Sequence, residues 1–268
     1  MTGERYLSAK ELAFARQLRE TLSGFLETAT PTGVTLPDTR LILVNDALEQ
    51  LLGRSREDLI GRSALSLIVP EEQRQAVSNL AETVSAPSRP VSSTWRVLGR
   101  GGDEISVQTT ALIVRDRAGE PLYIVTTAWR NAPPETPIRG MKNSRSAALV
   151  AEVLAALPDF ASSTTGMLAL DTEGRILAAN RAFAGFLGYQ PGELAGRDRS
   201  ALTASDEDTG GSTRAEDLDA RGILPAEEVT MIGKAGDHVR LRAAPILIRD
   251  GRGRARFVLM TGQRVVTG

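Results

Sequence analysis

Three groups of side chains set the chemistry this chain could perform. Residues 98–107 read LGRGGDEISV, where Gly101-Gly102-Asp103-Glu104 puts two adjacent carboxylates on a glycine turn. Such carboxylates could hold metal ions for nucleotide cyclisation, or the four residues could be only a tight turn. His238 is the only histidine. A zinc site of several imidazoles is therefore impossible, and a Ser-His-Asp triad would have to pass through that one residue. Its other possible roles are a haem ligand or a partly exposed strand residue. Trp95, Phe183, Phe186 and Met231 are of types that could line a ligand cavity, or pack as plain core together with Trp129. The chain has no cysteine, which removes disulfides, thiolate metal sites and cysteine nucleophiles.

Composition narrows the setting. The 268 residues suffice for one large domain or two of ordinary size. Apolar residues make up 41% and charged residues 24%, as in soluble globular proteins. A net charge of -1 gives no reason to expect nucleic acid or an anionic membrane as partner. No run of about 18 apolar residues is present, and the start MTGERYLSAKEL lacks a signal-peptide pattern. A cytoplasmic protein is expected, which the missing cysteines also suit.

What positions these residues is a duplication. LVNDALEQLLGRSREDLIGRS (43–63) aligns without gaps on AANRAFAGFLGYQPGELAGRD (178–198) at an offset of 135. Asn45 falls on Asn180, Gly53 on Gly188 and Gly61-Arg62 on Gly196-Arg197. Further on the offset is 134: GRGGDEISV lies over GKAGDHVRL, Arg115-Asp116 over Arg249-Asp250, and Gly119 over Gly253. A period this long is a repeated domain.

Each copy reads as a strand pair around a turn, a short amphipathic helix, further helical sequence, and three strands in a meander. In copy one, Pro70, Glu71 and Glu72 open a helix with a stripe of Val77, Leu80 and Val84. The acidic, glycine-containing interval of copy two predicts a short or mobile helix instead. The closing strands are expected at 92–99, 104–114 and 121–129, then at 226–232, 238–248 and 256–263. The fold class is α+β: two domains, each a five-stranded antiparallel sheet with short helices on one face, preceded by an amphipathic helix. Asn45 and Asn180 lie where a strand meets a helix and are assigned a structural, capping role.

LDTEGRILAANRAFAGFLGYQPGELAGR in copy two resembles the PAS sensor family, matching its D-x-x-G-x-I-x-x-x-N-x-A…G-Y and E-L-x-G-R pattern. Copy one is looser, with Pro37-Asp38-Thr39 and Arg54 at positions of the pattern. The resemblance implies a sheet wrapped by helices around a small pocket, used to sense and to dimerise. It also weighs the opening motif. Gly-Gly-Asp-Glu is the signature of diguanylate cyclases, but copy two has Ala235-Gly236-Asp237-His238 there, keeping only the Gly-Asp of a turn. Cyclase activity through Gly101–Glu104 stays as a remote alternative. Haem-binding relatives carry histidine on the helix before the third strand, where neither copy has one. Flavin relatives carry Pro-Trp where Pro90-Val91 stands, with Trp95 four residues displaced. No cofactor is evident; non-covalent flavin or haem stays open, and cysteinyl-flavin photochemistry is impossible.

The expected organisation is an amphipathic helix (1–29), a first PAS-like domain (30–130), a linker (131–145), a connecting helix (146–160) and a second PAS-like domain (161–268). Leu18, Leu22 and Phe25 form one helical stripe, and Leu149 with Val153 form another. A stripe left in water would be an apolar patch, so these residues either pack on their own domain or are the candidate contacts of a homodimer. The function expected is a non-enzymatic tandem PAS module. It would bind a small ligand, cofactor or protein partner and signal through its flanking helices to a downstream protein or output domain. The alternatives are a ligand-free interaction scaffold and a haem or flavin redox sensor.

Overall fold

The computed structural model describes residues 7–85, 91–130, 163–204, 213–221 and 224–265, with the single positions 150, 153 and 160. Helix α1 (Ala9–Thr21) opens on a capping box in which Ser8 and Glu11 satisfy each other's backbone N–H, and α2 (Ser23–Leu26) follows.

Repeat one contains β1 (Thr32–Thr35), β2 (Leu41–Val44), α3 (Asp46–Leu52), α4 (Arg56–Leu59), a 3-10 turn (Ala64–Leu67) and α5 (Pro70–Ser85). The meander β3 (Val91–Leu98), β4 (Glu104–Arg115) and β5 (Pro121–Trp129) completes it. Repeat two follows the same order: β6 (Gly166–Leu170), β7 (Ile176–Ala179), α6 (Arg181–Phe186), α7 (Pro191–Leu194), a 3-10 turn (Arg199–Leu202), α8 (Ala215–Arg221), then β8 (Glu227–Ile232), β9 (His238–Arg249) and β10 (Ala255–Arg264). The antiparallel sheets run β2-β1-β5-β4-β3 and β7-β6-β10-β9-β8. The duplication is thus exact in topology, and the expected α+β class holds. As its composition implies, α8 is a short helix at the place of the sixteen-residue α5.

The two asparagines do more than cap. The Asn45 side-chain oxygen accepts from Leu48 N–H and from Thr32 N–H, each at 2.9 Å, while its amide donates to the carbonyls of Thr28 (3.1 Å) and Thr30 (2.7 Å). Asn180 repeats all four bonds with Phe183, Met167, Ser163 and Thr165. Each side chain therefore ties a helix start, a strand and the segment before that strand into one buried node.

The stripe on α1 is covered within the chain. Leu18 and Leu22 are fully buried in a core that also holds Leu112, Val114, Tyr123 and Val125 of repeat one and Ile246, Ile248, Phe257 and Leu259 of repeat two. The faces of the two sheets turned away from α3–α8 thus share one apolar layer with α1, joined by Val150, Val153 and Phe160. Of the two covers open to Leu18, Leu22 and Val153, a second chain or their own, they have the second. Periodicity shows that a stripe needs cover and does not say what covers it. Leu149 and the linker lie outside the described residues, as does the Phe25 side chain. A second correction concerns α5, where Val77 is 53% exposed and Ala76 is buried in its place, while Leu80 stays on the covered side.

The repeats also meet tip to tip. Gly119, in the β4–β5 turn, comes so close to the β9–β10 turn that a Cβ on it would lie 2.6 Å from the Gly251 carbonyl oxygen. A Cβ on Gly253 would overlap the Arg117 carbonyl oxygen. Arg115 donates to the carbonyls of Gly119 (3.0 Å) and Val84 (2.8 Å). Its counterpart Arg249 donates to Gly253 (3.0 Å) and pairs with Asp219 on α8, which Arg117 also reaches.

Candidate functional site

The helix-covered side of repeat one forms a half-open cavity of about 200 Å³. Its floor is the sheet, through Gly33, Thr35, Val107, Thr109, Thr126 and Ala128; its walls are Leu48, Leu51 and Leu52 of α3, Ala64 and Leu67 of the 3-10 turn, and Ala76, Asn79 and Leu80 of α5. Val91, Ser93 and Trp95 of β3 form the rim, each only half-buried. Strand alternation explains the rim: Val91, Ser93 and Trp95 share one sheet face with Val97, and only Val97 is buried.

Among the described residues no charged side chain lines the cavity. Its polar groups are hydroxyls and one amide, and several are already engaged: Thr109 Oγ1 donates to the Ser93 carbonyl (3.2 Å), Thr39 and Ser63 hydroxyls share a bond (2.7 Å), and Asn79 accepts from Gln75 (2.7 Å). The lid helix α5 is pinned at its first turn. There the Glu72 carboxylate accepts from Arg96 N–H (2.9 Å) and from its guanidinium (2.7 Å), and Arg96 also pairs with Glu104. These bonds, the backbone one foremost, hold the Glu72 carboxyl below the usual carboxylate range.

Repeat two carries larger, buried side chains at the equivalent positions. Leu168 stands for Gly33, Leu170 for Thr35, Phe183 for Leu48 and Met260 for Thr126, and all four are at most 1% exposed. Of the residues singled out as pocket candidates, Trp95 lines the cavity. Phe183 and Met231 are core of repeat two, with Phe186 packed against that core. The signal that finds the cavity is the size difference between aligned positions, with Gly33 and Thr126 in place of Leu168 and Met260.

The motif at Gly101–Glu104 is a turn. Gly102 has φ 83°, Gly99 N–H donates to the Asp103 carbonyl (2.8 Å), and Glu104 is engaged by Arg96. Gly236, also at φ 83°, and the Gly233–Asp237 bond (2.7 Å) repeat it. Positive φ is what requires glycine at both places. Among the described residues no cluster of three or more potential metal ligands occurs, and no helix is long and apolar enough to cross a membrane. His238 opens β9 and is exposed.

Comparison with known proteins follows the same division. The PAS fold family matches residues 41–128, and the PAS domain family matches residues 164–262. No curated protein matches the chain. Among solved structures, the Rhodobacter sphaeroides LOV protein is 15% identical, with 52% of this chain and 77% of that chain covered at a TM-score of 0.39. A PAS domain of a protein from Colwellia psychrerythraea is 18% identical, with 42% and 94% covered at 0.37. An RNA-binding light-oxygen-voltage receptor is 13% identical, with 88% and 95% covered at 0.37.

Proposed function

Because the chain belongs to the PAS family through both of its repeats, we propose that it is a sensory module whose first repeat binds a small, uncharged, largely apolar ligand. The observation that carries this is the cavity in repeat one at a place where repeat two has the larger buried side chains of Leu168, Leu170, Phe183 and Met260. Pockets for drug-sized ligands span roughly 300–1,000 Å³, and an apolar hole of about 150 Å³ accommodates benzene. A cavity of about 200 Å³ therefore favours a one-ring compound over haem or flavin. Floor hydroxyls such as that of Thr126 would orient one polar substituent, and an ionised ligand would meet no counter-charge among the described lining residues.

The reading is non-enzymatic and cytoplasmic. It includes a homodimer and a downstream partner or output domain. Leu12 on α1 and Val77 on α5, both large, apolar and exposed, are the first contacts to test for either.

The experiment uses Trp95 as reporter. Trp129→Phe leaves it the only tryptophan, since the chain has two. Titration with toluene should give a saturable change in its emission, lost in Thr126→Met, which copies repeat two. A linear, non-saturating response, or one unchanged in Thr126→Met, would overturn the assignment.

A further inference from the structure

Two hydroxyls on the floor of the cavity have nothing to bond. Thr35 on β1 and Thr126 on β5 both line it, and neither side chain has a hydrogen-bond partner among the described residues. The other cavity threonines differ: Thr39 bonds Ser63, and Thr109 bonds the Ser93 carbonyl. The sheet does not require a hydroxyl at either place, because the counterparts in repeat two are Leu170 and Met260. An unmet polar group among apolar neighbours is costly, and the cost falls when a polar atom of a guest is brought to it.

Strand order and register place these hydroxyls. From the rim inward the sheet runs β3, β4, β5, β1. Thr126 lies opposite Ala111 of β4 on one side and Gly33 of β1 on the other, so small residues flank it. Ala111 in turn lies opposite Val91 at the rim. The row Val91, Ala111, Thr126, Gly33 therefore crosses the floor from the half-buried rim to its far side. Neighbouring strands are about 4.8 Å apart, so Thr126 lies about 10 Å along the sheet from β3. Thr35 pairs with Ile124 and is thus diagonal to Thr126, at about 7–8 Å between Cα atoms. One oxygen held between them can donate to one hydroxyl and accept from the other.

We propose that the ligand of repeat one is a phenol substituted opposite its hydroxyl. The hydroxyl lies between Thr35 and Thr126, the ring lies over Ala111, and the para substituent points to the rim at Val91 and Trp95. This rests on the reading of the cavity as a ligand site and gives that ligand a chemical class and an orientation. A phenol both donates and accepts, as the two threonines do. With a pKa of about 10 it is neutral at ordinary pH, so it needs no counter-charge. A group beside the hydroxyl would press on the ends of Leu41 and Leu48, which already stand 3.1 Å from where a Cβ on Gly33 would be.

The test is the Trp95 titration in Trp129→Phe, excited at the red edge of the indole band, where phenols do not absorb. Phenol should bind at least as tightly as toluene. An apolar hole without polar partners would give the opposite order, because the hydroxyl must shed its water. In Thr126→Val, which exchanges the hydroxyl for a methyl, the ratio of phenol to toluene affinity should fall about tenfold. 4-Ethylphenol should bind more tightly than phenol, by about fourfold per added carbon, and 2-ethylphenol no more tightly than phenol. A parent that binds toluene in preference to phenol, or a ratio unchanged in Thr126→Val, would overturn the phenol assignment and leave the cavity reading standing. Equal affinities for the two ethylphenols would overturn the orientation. Saturation by neither toluene nor phenol would overturn both readings. The ethylphenol comparison does not use the Thr126 variant, so it decides even if Thr126→Val does not fold.

Discussion

Gly33→Ala should make the protein more stable and a poorer binder at once. Gly33 sits in the middle of β1, outside the positive-φ residues, so alanine fits its backbone. Removing a glycine from a strand contributes about 0.5–1 kcal/mol through the unfolded chain, and burying one methyl contributes about 0.8 kcal/mol. Against this, the new Cβ would stand 3.1 Å from Leu41 Cδ2 and from Leu48 Cδ2. Both are ends of flexible side chains that line the cavity, so they can recede into it. If each leaves its rotamer by well under 30°, the cost stays near about 0.5 kcal/mol apiece, about 1 kcal/mol in all. The net is a gain of up to about 1 kcal/mol, a rise in Tm of about 2–4 °C. The methyl and the displaced leucine ends occupy cavity space, so toluene affinity should fall about tenfold, which corresponds to about 1.4 kcal/mol. Thermal melts and the Trp95 titration measure the two effects on one sample. A loss of stability above about 1 kcal/mol together with unchanged toluene affinity would refute the reasoning, because the void would then be neither adjustable nor the binding site.

Asn45→Ala and Asn180→Ala should each cost about 3 kcal/mol or more in urea unfolding, above the ~1 kcal/mol of a simple cap, because two N–H and two C=O groups lose their partner at once. Leu18→Glu should lower stability by several kcal/mol rather than shift the mass seen by light scattering, since Leu18 is buried inside the chain. Glu11, engaged foremost by the Arg40 side chain and then by Ser8 N–H, has its carboxyl pulled down to about 2. A depressed carboxyl contributes its stabilisation above the unfolded value near 4.5 and loses it as pH falls through about 2. Amide protection in α1 should therefore begin to fall below about pH 4.5 in the parent and lose the Glu11 contribution through about pH 2, while Glu11→Gln should be less protected above that range and lack the pH-dependent step. The unmodified chain, supplied with GTP and Mg²⁺, should form no cyclic dinucleotide, and detectable product would restore Gly101–Glu104 as a catalytic motif.

The parts of this molecule legible in its sequence are those that backbone geometry dictates. Asn45 and Asn180 recur at one offset because a node of four hydrogen bonds accepts few other side chains. Gly102-Asp103 and Gly236-Asp237 recur because a positive-φ turn does. The cavity was not legible from Trp95, Phe183, Phe186 and Met231, because large apolar residues mark a core and not a void. It was written in what repeat one lacks, Gly33 against Leu168 and Thr126 against Met260. The site of α1 was hidden for a different reason. Its partners come from both repeats, up to residue 259, and no local pattern encodes contacts at that separation.

The meeting of the two hairpin tips bears on stoichiometry. Gly119 faces Gly251 and Gly253, while Arg115 and Arg249 brace the two sides alike, so the chain carries within itself the arrangement that two identical subunits make around a twofold axis. In a pair of identical subunits any substitution appears twice, and a pocket gained or closed on one side is gained or closed on the other. Covalent fusion lifts that restriction. Each half can drift while the shared turn-to-turn contact holds them in register, so a guest taken up on one side only would bind once per polypeptide. Saturation of the toluene site should accordingly end at one equivalent, and not at the two that the symmetry of the backbone would suggest.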